Sequence, residues 1–140
     1  MGQRKPSPNA KAPSIRGIVL DLRSNPGGLL TEAVKVTSLF VKEGVVVSTE
    51  SRDPSNKSIH YVIKSMEKDL ETPLVVLVNG ASASASEIVA GAIQDHKRGM
   101  IMGAQTFGKG SVQTVVPVDD RNGIKLTIAQ YMTPKMRKIQ

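Results

Sequence analysis

The apolar positions of this chain fall into short blocks whose spacing switches between that of a strand and that of a helix. Gly17-Ile18-Val19-Leu20-Asp21-Leu22 is a short apolar run and predicts a buried strand. From Leu29 to Phe40, apolar residues stand at 29, 30, 33, 34, 36, 39 and 40, the spacing of one helix face. Between these blocks, Asn25-Pro26-Gly27-Gly28 predicts a turn in which both glycines are free to take positive φ. Val45 to Val47 predicts a second strand, and the polar stretch Glu50 to Ser58 predicts a loop. Ile59 to Leu70 is ambiguous; it is read as a strand fragment around Tyr61-Val62-Ile63 followed by a short helix. Leu74-Val75-Val76-Leu77-Val78 is the clearest strand, and its lack of alternation predicts burial on both faces, as in a parallel sheet. Ala85 to Gln94 predicts a helix with Ile88, Val89, Ala92 and Ile93 on one face. Met100-Ile101-Met102 predicts a short strand. Val112 to Pro117 and Ile124 to Ala129 predict a hairpin around residues 119–123.

In order, these elements give an α/β fold. They predict a βαβ-type core with a mainly parallel sheet flanked by helices, followed by a C-terminal hairpin. The 140 residues suffice for one domain with a real core, and there is no internal repeat. The expected organisation is a basic, proline-containing tail over 1–14, a core over 15–134 and a basic C-terminal tail over 135–140.

Charge changes the picture less than its total suggests. The net charge of +7 comes from Arg4, Lys5, Lys11 and Arg16 at one end and Lys135, Arg137 and Lys138 at the other. Gly17 to Pro134 holds twelve basic and twelve acidic residues and is neutral. Phe40, Phe107, Tyr61 and Tyr131 are the only aromatics, so no stacking platform is expected, and nucleic acid is not an expected partner. No run approaches the roughly 20 apolar residues of a membrane span. Without cysteine, the chain has no disulfide, thiol nucleophile or zinc-thiolate site. No metal-ligand spacing is visible, and His60 and His96 share no motif with a serine.

The chemistry concentrates in two stretches, Asn79-Gly80-Ala81-Ser82-Ala83-Ser84-Ala85-Ser86-Glu87 and Thr106-Phe107-Gly108-Lys109-Gly110-Ser111-Val112-Gln113. Ser84 stands where a strand gives way to a helix. There, free backbone N–H groups and the helix dipole favour negative charge on an attacked carbonyl. Ser84-Ala85-Ser86-Glu87 equally fits a capping box, so nucleophile and cap are both open readings. Lys109, bracketed by glycines with Phe107 and Val112 nearby, is a candidate general base if it packs against apolar surface; otherwise it is an exposed turn lysine. Gln113 shares a face with Lys109 if the stretch is extended. Gly103 to Gly110 nearly matches a phosphate-binding loop. Gly110 occupies the hydroxyl position, however, and a strand follows where a helix is required, which argues against nucleotide hydrolysis. The Asn25–Gly28 turn is a candidate second oxyanion donor or simply a connection that needs glycine.

Together these stretches resemble the C-terminal processing peptidases, also called tail-specific proteases. The matching blocks are Gly17 to Leu30, Val78 to Ala92, Gly103 to Gln113 and Lys125 to Pro134, in that order. The resemblance implies a crotonase-like ββα architecture. It also implies a serine endopeptidase acting near the C-termini of protein or peptide substrates through a Ser-Lys dyad and an acyl-enzyme, without a cofactor or metal. The family's nucleophile falls on Ser84, its general base on Lys109 and the glutamine that positions the lysine on Gln113. Its oxyanion donors fall on the backbone N–H groups of Ala85 and Gly28. Such peptidases usually work in the periplasm, cell envelope or plastid lumen, and they carry a PDZ domain upstream of the first strand. Here that place is taken by the basic tail, so an incomplete core is expected. The alternative reading is a non-catalytic module that binds an extended peptide or pairs through an exposed sheet edge.

Overall fold

The computed structural model describes residues 15–139; the tail expected over 1–14 lies outside the described residues, as does Gln140. Seven strands and two α-helices follow in the order β1 (Ile18–Asp21), α1 (Leu30–Phe40), β2 (Val45–Ser51), β3 (Ile59–Tyr61), β4 (Leu74–Val78), α2 (Ala85–Asp95), β5 (Met100–Gly103), β6 (Ser111–Pro117) and β7 (Gly123–Met132). They form two sheets. The first is parallel, in the order β1-β4-β5, and the second is antiparallel, in the order β3-β2-β7-β6. The mixed α/β class holds, and β4-α2-β5 is a parallel crossover unit. The second strand corrects the expectation of one main sheet. β2 leaves the parallel sheet and pairs antiparallel with β7, from Ser48↔Met132 to Ser51↔Ala129.

The helix expected between Ile63 and Leu70 is absent; a turn at Lys64–Ser65 and irregular backbone occupy the segment. Its polar groups are satisfied locally instead. Lys68 Nζ donates to the carbonyls of Ser38 (2.8 Å) and Ile63 (2.7 Å), and Asp69 Oδ1 accepts the N–H groups of Glu71 and Thr72. Aspartate that bonds its own following backbone competes with helix formation.

The β4 strand is buried at Leu74, Val76 and Val78 and only half-buried at Val75 and Leu77. In register with the half-buried side, Val19, Met100 and Met102 are exposed, so the parallel sheet is covered on one face among the described residues, not on both. The core lies between the other face and the helices. It joins Leu22, Val34, Phe40, Val46, Val76, Ile88 and Ile93. Instead of presenting one apolar face, α2 is buried around most of its circumference and packs against α1, β2 and β5. Its Ala, Ser and Gly residues let these neighbours approach closely.

Residues 135–139, expected as part of a tail, pack back onto the molecule. Met132 bridges to Lys138, Ile139 is buried, and the buried Asp95 carboxylate accepts the Lys135 N–H (2.9 Å) and the Arg137 guanidinium. Burial pushes the Asp95 pKa up, but hydrogen bonds from Thr133, Lys135 and Arg137 outweigh it and leave the group below its ordinary value.

The β6–β7 hairpin pairs along its whole length, but β2 reaches β7 only at Ala129–Met132. Residues 123–128 therefore lie in a two-stranded ribbon, with Val116, Ile124, Leu126 and Ile128 exposed. No helix among the described residues is long and apolar enough to cross a membrane.

Candidate active site

Three backbone segments meet at the carboxyl ends of the parallel strands: the 22–28 loop after β1, the 79–84 loop after β4, and the 104–110 turn after β5. Hydrogen bonds join them. The buried Ser82 hydroxyl donates to the Leu22 carbonyl (2.6 Å) and accepts the Asn79 N–H (3.0 Å), and the Ser82 carbonyl accepts the Phe107 N–H (3.0 Å). Asn79 Oδ1 accepts the N–H of Ser24 (2.9 Å), and the Asn25 carbonyl accepts that of Ala83 (3.0 Å). Short polar side chains are needed here because three strands end together and leave backbone groups that no sheet neighbour satisfies.

The three alternating serines separate by this geometry. Ser82 is a fully buried cross-brace, and Ser86 is buried inside α2. Ser84 is only half-buried and precedes α2 with φ 55° and ψ −117°, a conformation a side chain rarely adopts. Such a backbone costs on the order of 1–3 kcal/mol and persists only where its surroundings hold it.

Glu87 supplies much of that hold. Its Oε2 accepts the Ser84 N–H (2.9 Å), the carboxylate half of the expected capping box, while the Glu87 N–H donates to the Ser84 carbonyl (2.9 Å). The same carboxylate reaches further than a cap. Oε2 also accepts the Lys109 N–H (2.9 Å), and Oε1 accepts the Gly108 N–H (2.7 Å). The backbone nitrogens of Ser84 and Lys109 thus meet on one oxygen and stand at most twice that bond length apart. Glu87 is buried, and charge-assisted bonds of this kind are about twice as strong as neutral ones. Sequence reasoning found only the cap. The further signal was an acid set among the apolar residues of α2.

Gly27 is the glycine whose missing side chain matters. It takes φ +96°, and a Cβ there would stand 2.6 Å from the Ala83 carbonyl oxygen and 2.7 Å from the Ala85 nitrogen. Gly28 lies outside the left-handed region, and a Cβ there would meet nothing within 4 Å. The 25–28 loop therefore runs directly past the start of α2 and leaves space before the Ala85 N–H. Gly27 keeps its own N–H on Asn25 Oδ1 (2.9 Å). Upstream of this loop, the Arg23 side chain and backbone N–H hold the exposed Asp21 carboxyl at about 2, below its ordinary value.

Two expectations about the lysine turn are corrected. The Lys109 side chain is exposed rather than packed on apolar surface. The shared face with Gln113 does not follow either, because a register shift between Val112 and Gln113 breaks the alternation. The Gln113 amide bonds Thr127 Oγ1 (3.5 Å). What brings the turn to Ser84 is its backbone, anchored on Glu87.

A family description, peptidase family S41, matches residues 7–140. The chain is 51% identical to a carboxy-terminal-processing protease of Bartonella bacilliformis over 90% of its own length and 29% of that protein. It is 46% identical to a chloroplastic C-terminal processing peptidase of Tetradesmus obliquus, covering 86% of this chain and 25% of that one. Its fold matches the solved photosystem II D1 C-terminal processing protease with a TM-score of 0.82 and 44% identity, over 89% of this chain and 32% of the other. The chain thus spans between a quarter and a third of the length of these relatives.

Proposed function

The chain belongs to peptidase family S41, and on that premise we propose that it carries the catalytic centre of a serine endopeptidase that trims proteins near their C-termini. Ser84 Oγ attacks the peptide carbonyl carbon, and the unprotonated amine of Lys109 takes its proton. The Ala85 N–H, with that of Gly28, receives the developing oxyanion at the start of α2. Collapse expels the amine of the C-terminal fragment, which takes the proton from Lys109. Water then hydrolyses the acyl-enzyme.

The observation that carries this reading is the sharing of Glu87 Oε2 between the Ser84 and Lys109 N–H groups. One buried acceptor draws the backbones of Ser84 and Lys109 to a common point although 25 residues separate them, which supports the pairing. The strained strand-to-helix turn at Ser84 adds support, because serine hydrolases of other folds expose their nucleophile in this way.

A second reading, a peptide-binding module without turnover, is favoured by the exposure of the Lys109 side chain. A serine-directed fluorophosphonate separates the two. Labelling at Ser84 that is lost in Lys109→Ala, with unchanged circular dichroism, supports the peptidase. Peptide binding without labelling overturns it. With a cleavable protein substrate, Ser84→Ala and Lys109→Ala each abolish cleavage.

A further inference from the structure

The Asn79 side chain ties the loop after β4, which leads to the nucleophile, to the loop after β1. Its Oδ1 accepts the Ala81 N–H (3.1 Å), which closes the local turn, and the Ser24 N–H (2.9 Å), 55 residues away in sequence. Its Nδ2 donates to Ser24 Oγ (3.3 Å). The Asn79 backbone is itself fixed: its N–H donates to Ser82 Oγ (3.0 Å), and its carbonyl accepts the Ser82 N–H (2.9 Å). Ser24 takes φ 57°, in the left-handed region, so the conformation of its loop needs an external hold. Further along that loop, the Gly27 N–H is spent on Asn25 Oδ1 (2.9 Å), whereas the Gly28 N–H meets no acceptor among the described residues.

We infer that Asn79 is a positioning residue: its carboxamide holds residues 24–28 against the start of α2, so that the Gly28 N–H stands ready as the second oxyanion donor. The inference rests on the peptidase reading above. Two other side-chain or loop bonds join these segments, Ser82 Oγ to the Leu22 carbonyl before Ser24 and the Ala83 N–H to the Asn25 carbonyl after it. Neither occupies the Ser24 N–H, whose acceptor among the described residues is Asn79. Without that acceptor the strained residue relaxes, its peptide turns toward water, and the glycines that follow lose their register on α2. Gly27 shows how little slack exists, since a Cβ there would already collide with the Ala83 carbonyl and the Ala85 nitrogen. The loss falls on the transition state, where the oxyanion develops, more than on the bound peptide. The lysine turn hangs on Glu87 and is untouched.

Three variants separate the local turn from the link between loops. Asn79→Ser keeps an acceptor for the Ala81 N–H but is too short to reach Ser24. Asn79→Leu loses both bonds, and Asn79→Asp keeps an oxygen for both. The readout is the rate at which a small fluorophosphonate labels Ser84: Oγ bonds phosphorus, fluoride leaves, and the Oγ proton passes to Lys109. Asn79→Ser and Asn79→Leu should label about 10- to 100-fold more slowly than wild type, with the shape of the pH–rate profile unchanged. Asn79→Asp should recover to within about threefold of wild type, because its carboxylate accepts the same N–H groups. In Asn79→Ser the ¹⁵N order parameter of Gly28 should fall from about 0.85 to below about 0.6, while those of Gly108 and Lys109 hold. Should leucine prevent folding, the serine variant decides. Wild-type labelling rates in Asn79→Ser, or slow labelling that aspartate does not restore, overturn the assignment of Asn79 and leave the peptidase reading standing. Failure of the wild type to label overturns the peptidase reading. The hold on the loop is then judged by the order parameter, where an unchanged Gly28 refutes it and a fall confined to residues 24–28 upholds it.

Discussion

Glu87→Ala is the substitution in which fold and candidate chemistry are most directly coupled. The wild-type carboxylate is buried and accepts N–H groups from Ser84 (2.9 Å), Gly108 (2.7 Å) and Lys109 (2.9 Å). A hydrogen bond to a charged group contributes about 1.5–3 kcal/mol net. The three bonds share the desolvation of one charge, so their sum is not reached. Removing the carboxylate strands the Ser84 N–H under a strained backbone and frees a turn that can partly rehydrate. The expected cost is about 3–5 kcal/mol, from three N–H donors that lose their acceptor at about 1–3 kcal/mol each, less what rehydration of the turn returns. With a urea m-value of about 2 kcal/mol/M, the unfolding midpoint falls by about 2 M. Amide exchange at Gly108 and Lys109 should speed up more than exchange in β4, because the turn loses its anchor before the core opens. Glu87→Gln keeps one acceptor but turns an NH2 group toward N–H donors, so it should fall between alanine and wild type. A midpoint within about 0.3 M of wild type, with unchanged exchange at Gly108 and Lys109, refutes the argument.

Three further outcomes follow from the same geometry. Ser84→Gly should raise stability by about 0.5–1 kcal/mol in urea unfolding, because glycine accepts φ 55° without strain and loses little as a cap, while fluorophosphonate labelling disappears. Gly27→Ala should cost about 2–4 kcal/mol and suppress labelling, since its Cβ would collide with the Ala83 carbonyl and the Ala85 nitrogen; unchanged labelling would break the link between loop and centre. Asp95, lowered by hydrogen bonding against its burial, contributes stability that is whole above the ordinary carboxyl value of 3.8 and fades as pH falls through its depressed folded value. Urea midpoints from pH 7 down to pH 2 should therefore converge for wild type and Asp95→Asn. A constant gap would contradict the assignment.

What could be read from the chain follows the range of each interaction. The β4 strand matched its apolar run residue for residue because Pro73 and Asn79-Gly80 bound it locally, although the covering of only one of its faces was not legible. Both helices matched within a residue or so, α1 through its periodicity and α2 through its capping serine. The choice of sheet for β2 was not legible, because it depends on pairing with β7, some eighty residues downstream. The same holds for Glu87. As a cap it is local and visible three residues after Ser84, but as an anchor it acts on amides 21 and 22 residues away. Gly27 and Gly28 looked alike, since only the neighbouring α2 backbone tells them apart. Lys109 was expected on apolar surface because Phe107 and Val112 lie close in sequence, but Phe107 is itself exposed and provides no cover.

The ribbon formed by β6 and the first half of β7 has a practical consequence. Natural sheets guard their borders with lysine, proline or brevity. From Ser111 to Val116 the outer strand offers none of these, and Pro117 blocks only its far end. A second copy laid along that border would meet unpaired backbone donors and acceptors, so the share of dispersed chain is expected to fall as its concentration rises, which light scattering over a dilution series checks.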